Sequence, residues 1–321
     1  MAFNAAEHRV TLALRKTIVV AGVVCLACGG RPQSLTAPTT IPLSTNSQTP
    51  GPAPAAAPVI LPTEIFAGAG DIGMCGGGGN PQATARLLDS IDGTIFTLGD
   101  NAYPNGSAAN YRTCFDPAWG RFKGRTRPIP GNHEYDSDST AQPYFDYFGA
   151  SAGPVGAGYY SYELGNWHMI ALNSSAPVGA NSAQGAWLKG DLAASTAKCT
   201  LAYVHYPLFS SSEHGNIQSM HAIWQILYDA GVDVVLSGHD HTYERFAPQD
   251  PSGAADPANG IREFVVGTGG AAPYTFPNVR PNSEVRLAAN GIIKLALKYG
   301  GYDWNFISTS GPGDSGSATC H

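Results

Sequence analysis

Four short apolar runs in this chain each stop at an acidic residue or a histidine, and that repeated arrangement limits the available folds more than any other feature. Glu64-Ile65-Phe66-Ala67-Gly68-Ala69-Gly70 runs into Asp71, and Gly93-Thr94-Ile95-Phe96-Thr97-Leu98 into Gly99-Asp100. Thr200-Leu201-Ala202-Tyr203-Val204 runs into His205, and Val232-Asp233-Val234-Val235-Leu236 into Ser237-Gly238-His239. Runs of this length and composition read as strands. Helices are expected between them at Gln82 to Ile91, Gln184 to Ala194 and Gln218 to Ala230, the last with Met220, Ile223, Trp224, Leu227 and Tyr228 at helical spacing. Alternating strands and helices predict an α/β sheet whose loops collect at strand ends, where such sheets bind ligands. Beyond Arg245, Gly260 to Val266, Gly291 to Leu297 and Tyr302 to Phe306 read as antiparallel strands on the same body.

The N-terminus reads as an export signal over residues 1–28, with Arg15 and Lys16 before an apolar stretch from Thr17 to Ala27. Two endings stay open: Cys25-Leu26-Ala27-Cys28-Gly29-Gly30 resembles a lipoprotein cleavage site with Cys28 lipidated, and ordinary cleavage near Ala27 is the alternative. Residues 29–62 are rich in Pro, Thr, Ser and Ala without apolar periodicity, which predicts a disordered linker. Residues 63–321 are expected to form one domain. The expected location is periplasmic, extracellular or lipid-anchored at the cell envelope.

Charged residues make up only 13% of the chain and glycines number 39, consistent with a loop-rich extracellular surface. A net charge of −6 leaves no basic footprint for nucleic acid, so no nucleic-acid binding is expected, and no protein partner is inferred. If Cys28 is the processing site, four cysteines remain, and an oxidising compartment favours two disulfides. Three pairings are open; Cys75 with Cys114 and Cys199 with Cys320 is the preferred one.

The chemistry sits in five ordered segments: Gly70-Asp71-Ile72-Gly73, Gly99-Asp100-Asn101-Ala102-Tyr103, Gly131-Asn132-His133-Glu134, Val204-His205 and Gly238-His239-Asp240-His241. Oxygen and imidazole donors with a carboxylate able to bridge are what a pair of hard or borderline cations requires. Taken singly, Asp71 and Asp100 also suit helix caps or turns, and Asn132 suits a turn. His239 and His241 also suit a structural zinc, although no cysteine lies near to complete one. Five such segments in order at strand ends favour the two-cation reading.

With these segments the sequence resembles the calcineurin-like metallophosphoesterases, and in its Gly99-Asp100-Asn101-Ala102-Tyr103 more closely their purple acid phosphatase branch. The resemblance extends from Ile65 to at least Gly270 and implies the compact form, an α/β, four-layer αββα sandwich of two β-sheets flanked by helices, with metals at strand ends. It implies that Asp71, Tyr103 and His241 hold one metal, that Asn132, His205 and His239 hold the other, and that Asp100 bridges them. His133 then faces substrate, and Glu213-His214-Gly215 reproduces a second substrate-facing histidine nine residues after the ligand His205. The fourth motif departs slightly, since Ala202 stands where the family usually has valine.

The implied activity is hydrolysis of small phosphate monoesters by a metal-bound hydroxide, with His214 as general acid and His133 stabilising charge. Tyr103 as a phenolate implies Fe(III) beside a divalent Fe, Zn or Mn. Rival readings are a phosphodiesterase or nucleotide hydrolase on the same site and a catalytically silent surface binding protein. A mononuclear zinc hydrolase fails because Thr242-Tyr243-Glu244 follows His241. His168 reads as a satisfied sheet histidine, Asp240 and Glu244 as loop residues or as supports behind the ligands, Gly76 to Gly79 as an active-site rim, and Trp187, Trp224 and Trp304 as core.

Overall fold

The structure, a computed structural model, describes residues 60–75 and 78–321. The export signal, the Cys28 alternative, most of the 29–62 linker and Gly76-Gly77 lie outside the described residues. In chain order the strands are β1 Glu64–Ala69, β2 Thr94–Thr97, β3 Thr126–Arg127, β4 Tyr160–Leu164, β5 Trp167–Ala171, β6 Cys199–Val204, β7 Val234–Ser237, β8 Tyr243–Phe246, β9 Arg262–Val266, β10 Ser283–Leu287, β11 Gly291–Lys298, β12 Gly301–Ser308 and β13 Asp314–Thr319. They form a six-stranded sheet in the order β13-β12-β11-β1-β2-β3 and a seven-stranded sheet in the order β10-β8-β9-β7-β6-β5-β4.

Both sheets are mixed for the same reason. Strands β1, β2 and β3 run parallel in one sheet and β5, β6, β7 and β9 in the other, and the remaining strands pair antiparallel. The central strands are apolar on both faces because both faces are covered. Along β6, Leu201 and Tyr203 enter a core shared with Phe66, Phe96, Phe264 and Trp304, while Ala202 and Val204 enter a second cluster. That period of two assigns one face of the strand to the partner sheet and the other to helices. Phe66 meets Tyr203 at 5.7 Å and Phe264 meets Trp304 at 5.6 Å between ring centroids, so the sheets pack face to face. Each buried aromatic of this kind contributes roughly 1.5 to 3 kcal/mol.

Helices Ala183–Ala194 and His221–Asp229 cover the outside of the seven-stranded sheet through Leu188, Ile223, Trp224 and Leu227. Helix Pro81–Leu88 packs Ala85 and Leu88 into the other core; Asn80 caps it by accepting the Ala83 N–H at 3.2 Å, and Pro81 needs no partner in the first turn. The fold is the expected α/β sandwich of two sheets flanked by helices. No described helix is long and apolar enough to cross a membrane.

Three details differ from the sequence reading. Residues 260–266 are not a simple antiparallel addition, since β9 pairs parallel with β7 and antiparallel with β8. Helix Gln218–Ala230 opens with a 3₁₀ turn, Gln218–Met220. Trp187 is half-buried against Tyr159 rather than in the core, whereas Trp224 and Trp304 are buried. The preferred cysteine pairs both form, Cys75 with Cys114 and Cys199 with Cys320. The His168 ring nitrogens lie 2.7 Å from Glu163 Oε1 and 2.8 Å from Asp191 Oδ2, so both are partnered, as expected of a satisfied sheet histidine.

Candidate metal centre

The carboxyl ends of four parallel strands converge between the two sheets. Asp71 follows β1, Asp100 follows β2, His205 follows β6 and His239 follows β7. Asp71, Asp100 and His239 adopt φ of 59°, 48° and 70°, three of the five described non-glycine residues in the left-handed region. Such backbone costs about 1 to 3 kcal/mol per residue and persists only where surroundings enforce it. Here hydrogen bonds between strand ends do so: the Asp71 N–H donates to Gly99 O at 3.1 Å and the Gly238 N–H to His205 O at 2.9 Å. Gly99 has φ +83°, and a Cβ there would sit 2.7 Å from His205 Nδ1. Any side chain at that position would displace the imidazole.

Two groups of donor atoms meet at one carboxylate. The Tyr103 hydroxyl lies 2.8 Å from Asp71 Oδ1, 3.1 Å from Asp100 Oδ2 and 3.1 Å from His241 Nε2. His205 Nε2 lies 3.0 Å from Asn132 Oδ1 and 3.3 Å from the same Asp100 Oδ2. The Asp100, His205 and His239 ligand atoms all lie within 4.8 Å of one another. The structure thus gathers Asp71, Asp100, Tyr103, Asn132, His205, His239 and His241 into one cluster.

Ring orientation is fixed by backbone carbonyls. His205 Nδ1 sits 2.7 Å from Leu98 O and His241 Nδ1 3.1 Å from Ala272 O. A carbonyl only accepts, so each Nδ1 carries hydrogen and each Nε2 is presented to the cluster, the arrangement metal-binding imidazoles use.

The electrostatics of the cluster suit it to cations. Burial opposes ionisation of Asp71, but the hydrogen bond and charge of His241, with His205, hold it below the usual carboxylate range. Burial likewise opposes ionisation of Asp100, and His205 and His133 outweigh it. Burial also disfavours charge on His205, yet Asp100 and Asp71 raise it to about 9. His239 falls to about 3, by burial first and then the charge of His205. Burial and the two carboxylates push the Tyr103 phenol well above its ordinary value, so its ionisation requires a neighbouring cation. Among the described residues no lysine or arginine pairs with Asp71 or Asp100, whose counter-charges are histidines alone. Two buried carboxylates, a phenol, an amide oxygen and three imidazoles fit a pair of bound cations.

The two remaining sequence candidates stand at the rim. His133 Nδ1 lies 2.7 Å from Pro104 O and 2.8 Å from Asp136 Oδ2, and its Nε2 lies 3.8 Å from Asp100 Oδ2. His214 is exposed, and its ring stacks on His239 at 4.3 Å and 25°.

Several partners escaped the sequence reading. Glu134, fully buried, accepts the N–H groups of Gly131 at 2.7 Å and of Asp100 and Asn101 at 2.9 Å, with the Tyr111 hydroxyl at 3.1 Å. It braces two loops of the cluster at once, and burial with the Asp100 charge raises it to about 7 despite those bonds. Its only sequence signal is its place after Gly131-Asn132-His133. Tyr274 stacks on His241 at 4.0 Å from a segment with no motif, and Tyr206, next to His205, meets His239 at 4.6 Å.

The calcineurin-like phosphoesterase family matches residues 66–243, which includes every residue of this cluster and both rim histidines. Purple acid phosphatase 21 of Arabidopsis thaliana is 33% identical over 265 residues, covering 72% of this chain and 56% of that protein. The chain therefore spans just over half the length of that curated relative. Among solved structures, purple acid phosphatase PPD1 from yellow lupin (Lupinus luteus) superposes with TM-score 0.69 at 19% identity, over 80% of this chain and 54% of that one. GAP50, the anchor in the inner membrane complex of Plasmodium, gives TM-score 0.62 at 16% identity over 81% and 89%. These two likenesses speak to fold alone. By its ordered motifs, its two-sheet fold and the extent of the match, the chain belongs to the calcineurin-like phosphoesterase family, with purple acid phosphatases as its relatives.

Proposed function

We propose that the chain is an exported, metal-dependent phosphatase acting on small phosphate monoesters. The observation that carries this reading is the sharing of Asp100 Oδ2 between the Tyr103 and His205 groups, 3.1 Å and 3.3 Å away. One oxygen common to two donor sets is the arrangement a dinuclear centre needs. Asp71, Tyr103 and His241 would hold one cation and Asn132, His205 and His239 the other. Bound there, two cations supply Lewis-acid charge to the phosphoryl oxygens and activate a water.

The chain's own groups complete the chemistry. His133, with Nδ1 committed to Pro104 O and Asp136, presents Nε2 toward the centre, where it holds a phosphoryl oxygen. His214, beside His239, gives its proton to the departing oxygen. Tyr103, protonated in the protein's own field, becomes a strong ligand only for a highly charged ion, which supports Fe(III) with divalent Fe, Zn or Mn. Two disulfides accord with export, and a lipid anchor at Cys28 is tested by mass analysis of the mature N-terminus.

The deciding experiment is elemental analysis with a visible spectrum on the purified chain, wild type and Tyr103→Phe. Two metals per chain and a visible band that Tyr103→Phe abolishes are expected. Less than one metal, or a colour indifferent to Tyr103, rejects the iron-containing centre. Assay of a monoester beside a diester settles the substrate class, and a strong diester preference rejects the monoester reading.

A further inference from the structure

Asp240 lies between two proposed ligands, His239 and His241, yet its buried carboxylate serves another segment. Oδ1 accepts the backbone N–H of His214 at 3.0 Å, and Oδ2 accepts the hydroxyl of Ser210. That hydroxyl oxygen in turn accepts the Ser212 N–H at 3.1 Å. Residues 209–215 belong to no helix or strand, so side chains must fix their path.

Two more acids and one arginine hold the same segment. Glu263 accepts the Phe209 N–H at 3.2 Å and Glu244 accepts the Ser211 N–H at 2.8 Å. Arg280 Nε donates to Ser210 O at 3.1 Å, and its backbone N–H donates to Ser211 Oγ at 2.9 Å. Of these groups only Asp240 binds the amide of His214 itself. The same short stretch of chain therefore offers two imidazoles to the centre and grips the backbone of a third.

We propose that Asp240 is a positioning residue for His214, setting the leaving-group acid in register with His239 and His241. The proposal rests on the reading of His214 as proton donor. In the step it serves, the bond from phosphorus to the leaving oxygen breaks and its electron pair stays on that oxygen. The oxygen takes the His214 ring proton, while an attacking water supplies the oxygen that phosphorus gains; the water's protons leave with the phosphate or to solvent, which reprotonates His214. A misplacement of about 1 Å in such a group costs on the order of 100-fold.

The test uses the full metal-loaded chain as wild type, D240A, D240N, H214A and the D240A/H214A double variant, with two substrates. p-Nitrophenyl phosphate has a leaving group that departs without a proton; an alkyl phosphate does not. The expected result is that D240A, like H214A, loses about tenfold or more in kcat on the alkyl ester beyond its loss on the aryl ester. The double variant should be no worse than H214A, because the two act as one unit. D240N, whose amide oxygen still accepts the His214 N–H, should recover most of the loss seen in D240A. Metal content should stay level, and hydrogen exchange at the His214 amide should accelerate in D240A but not in D240N.

Equal losses on both esters, additive losses in the double variant, or metal loss in D240A overturns the proposal. If H214A itself discriminates neither ester, the assignment of His214 as acid fails, and the exchange data then decide whether Asp240 still fixes the loop. Should D240A not fold, Ser210→Ala, which removes only the hydroxyl at Oδ2, carries the same comparison: a loss selective for the alkyl ester supports the proposal and an equal loss rejects it.

Discussion

The six-stranded sheet brings the oxygen donors of the cluster, and the seven-stranded sheet brings its imidazoles. Asp71, Asp100, Tyr103 and Asn132 all follow β1, β2 or β3, whereas His205, His239 and His241 follow β6 or β7. The first half is a concentration of buried negative charge that one sheet cannot hold alone. The second half supplies the groups that relieve it: His205 meets Asp100 at 3.3 Å, His241 meets Asp71 at 3.4 Å, and the His239 N–H donates to Asp71 at 2.8 Å. Each half is completed by the other, so the cluster exists only where the sheets are docked.

The comparison is broken most severely at its shared atom. Asp100→Asn removes the charge common to both donor groups, and a fall in kcat/KM of about 10³-fold or more, roughly 4 kcal/mol, is expected with a drop in bound metal. Full metal occupancy in that variant would show that the two groups do not depend on Asp100. Glu134→Gln leaves every donor in place but turns an N–H toward backbone N–H groups that a carboxylate now accepts. Metal affinity should fall about 10- to 100-fold, read by competition with a chelator.

A gentler probe is pH. The His205 value near 9 in the folded chain exceeds its ordinary 6.5, so its proton stabilises metal-free protein fully below pH 6.5. That stabilisation drains away as pH rises through about 9. Urea unfolding of chelator-treated protein should record the decline, while metal uptake tightens over the same interval with proton release. A flat profile would place the His205 proton elsewhere. Smallest in activity should be the effect of C199S/C320S, because Cys199 opens β6 and His205 follows its far end, about 20 Å away along the strand. Stability should fall about 2 to 4 kcal/mol with activity changed less than twofold.

The sequence made the donor half-sets legible because a strand end followed by Asp or His is a pattern of residue types. The flanking helices were legible through their spacing. Strand β13, Asp314–Thr319, was not: its side chains are small or polar and alternate between exposed and half-exposed, so the backbone pairing with β12 carries it. Strand β9 misled because an antiparallel addition and a parallel crossover onto β7 look alike in composition. Glu134 and Asp240 were present in quoted motifs, yet nothing there marked which groups they would hold. Their partners include backbone amides, which every residue has, and no spacing rule marks which amides a carboxylate will accept.

The division of donors between sheets also bears on how such a protein matures. A chain whose sheets have paired wrongly holds either oxygen donors or imidazoles at a given place, never both, and so cannot retain its ions tightly. With cations bound as proposed, metal capture would work as an inspection step, since the ions would stay only in molecules already assembled correctly. They would then rivet the sheets together, adding stability that grows with metal concentration.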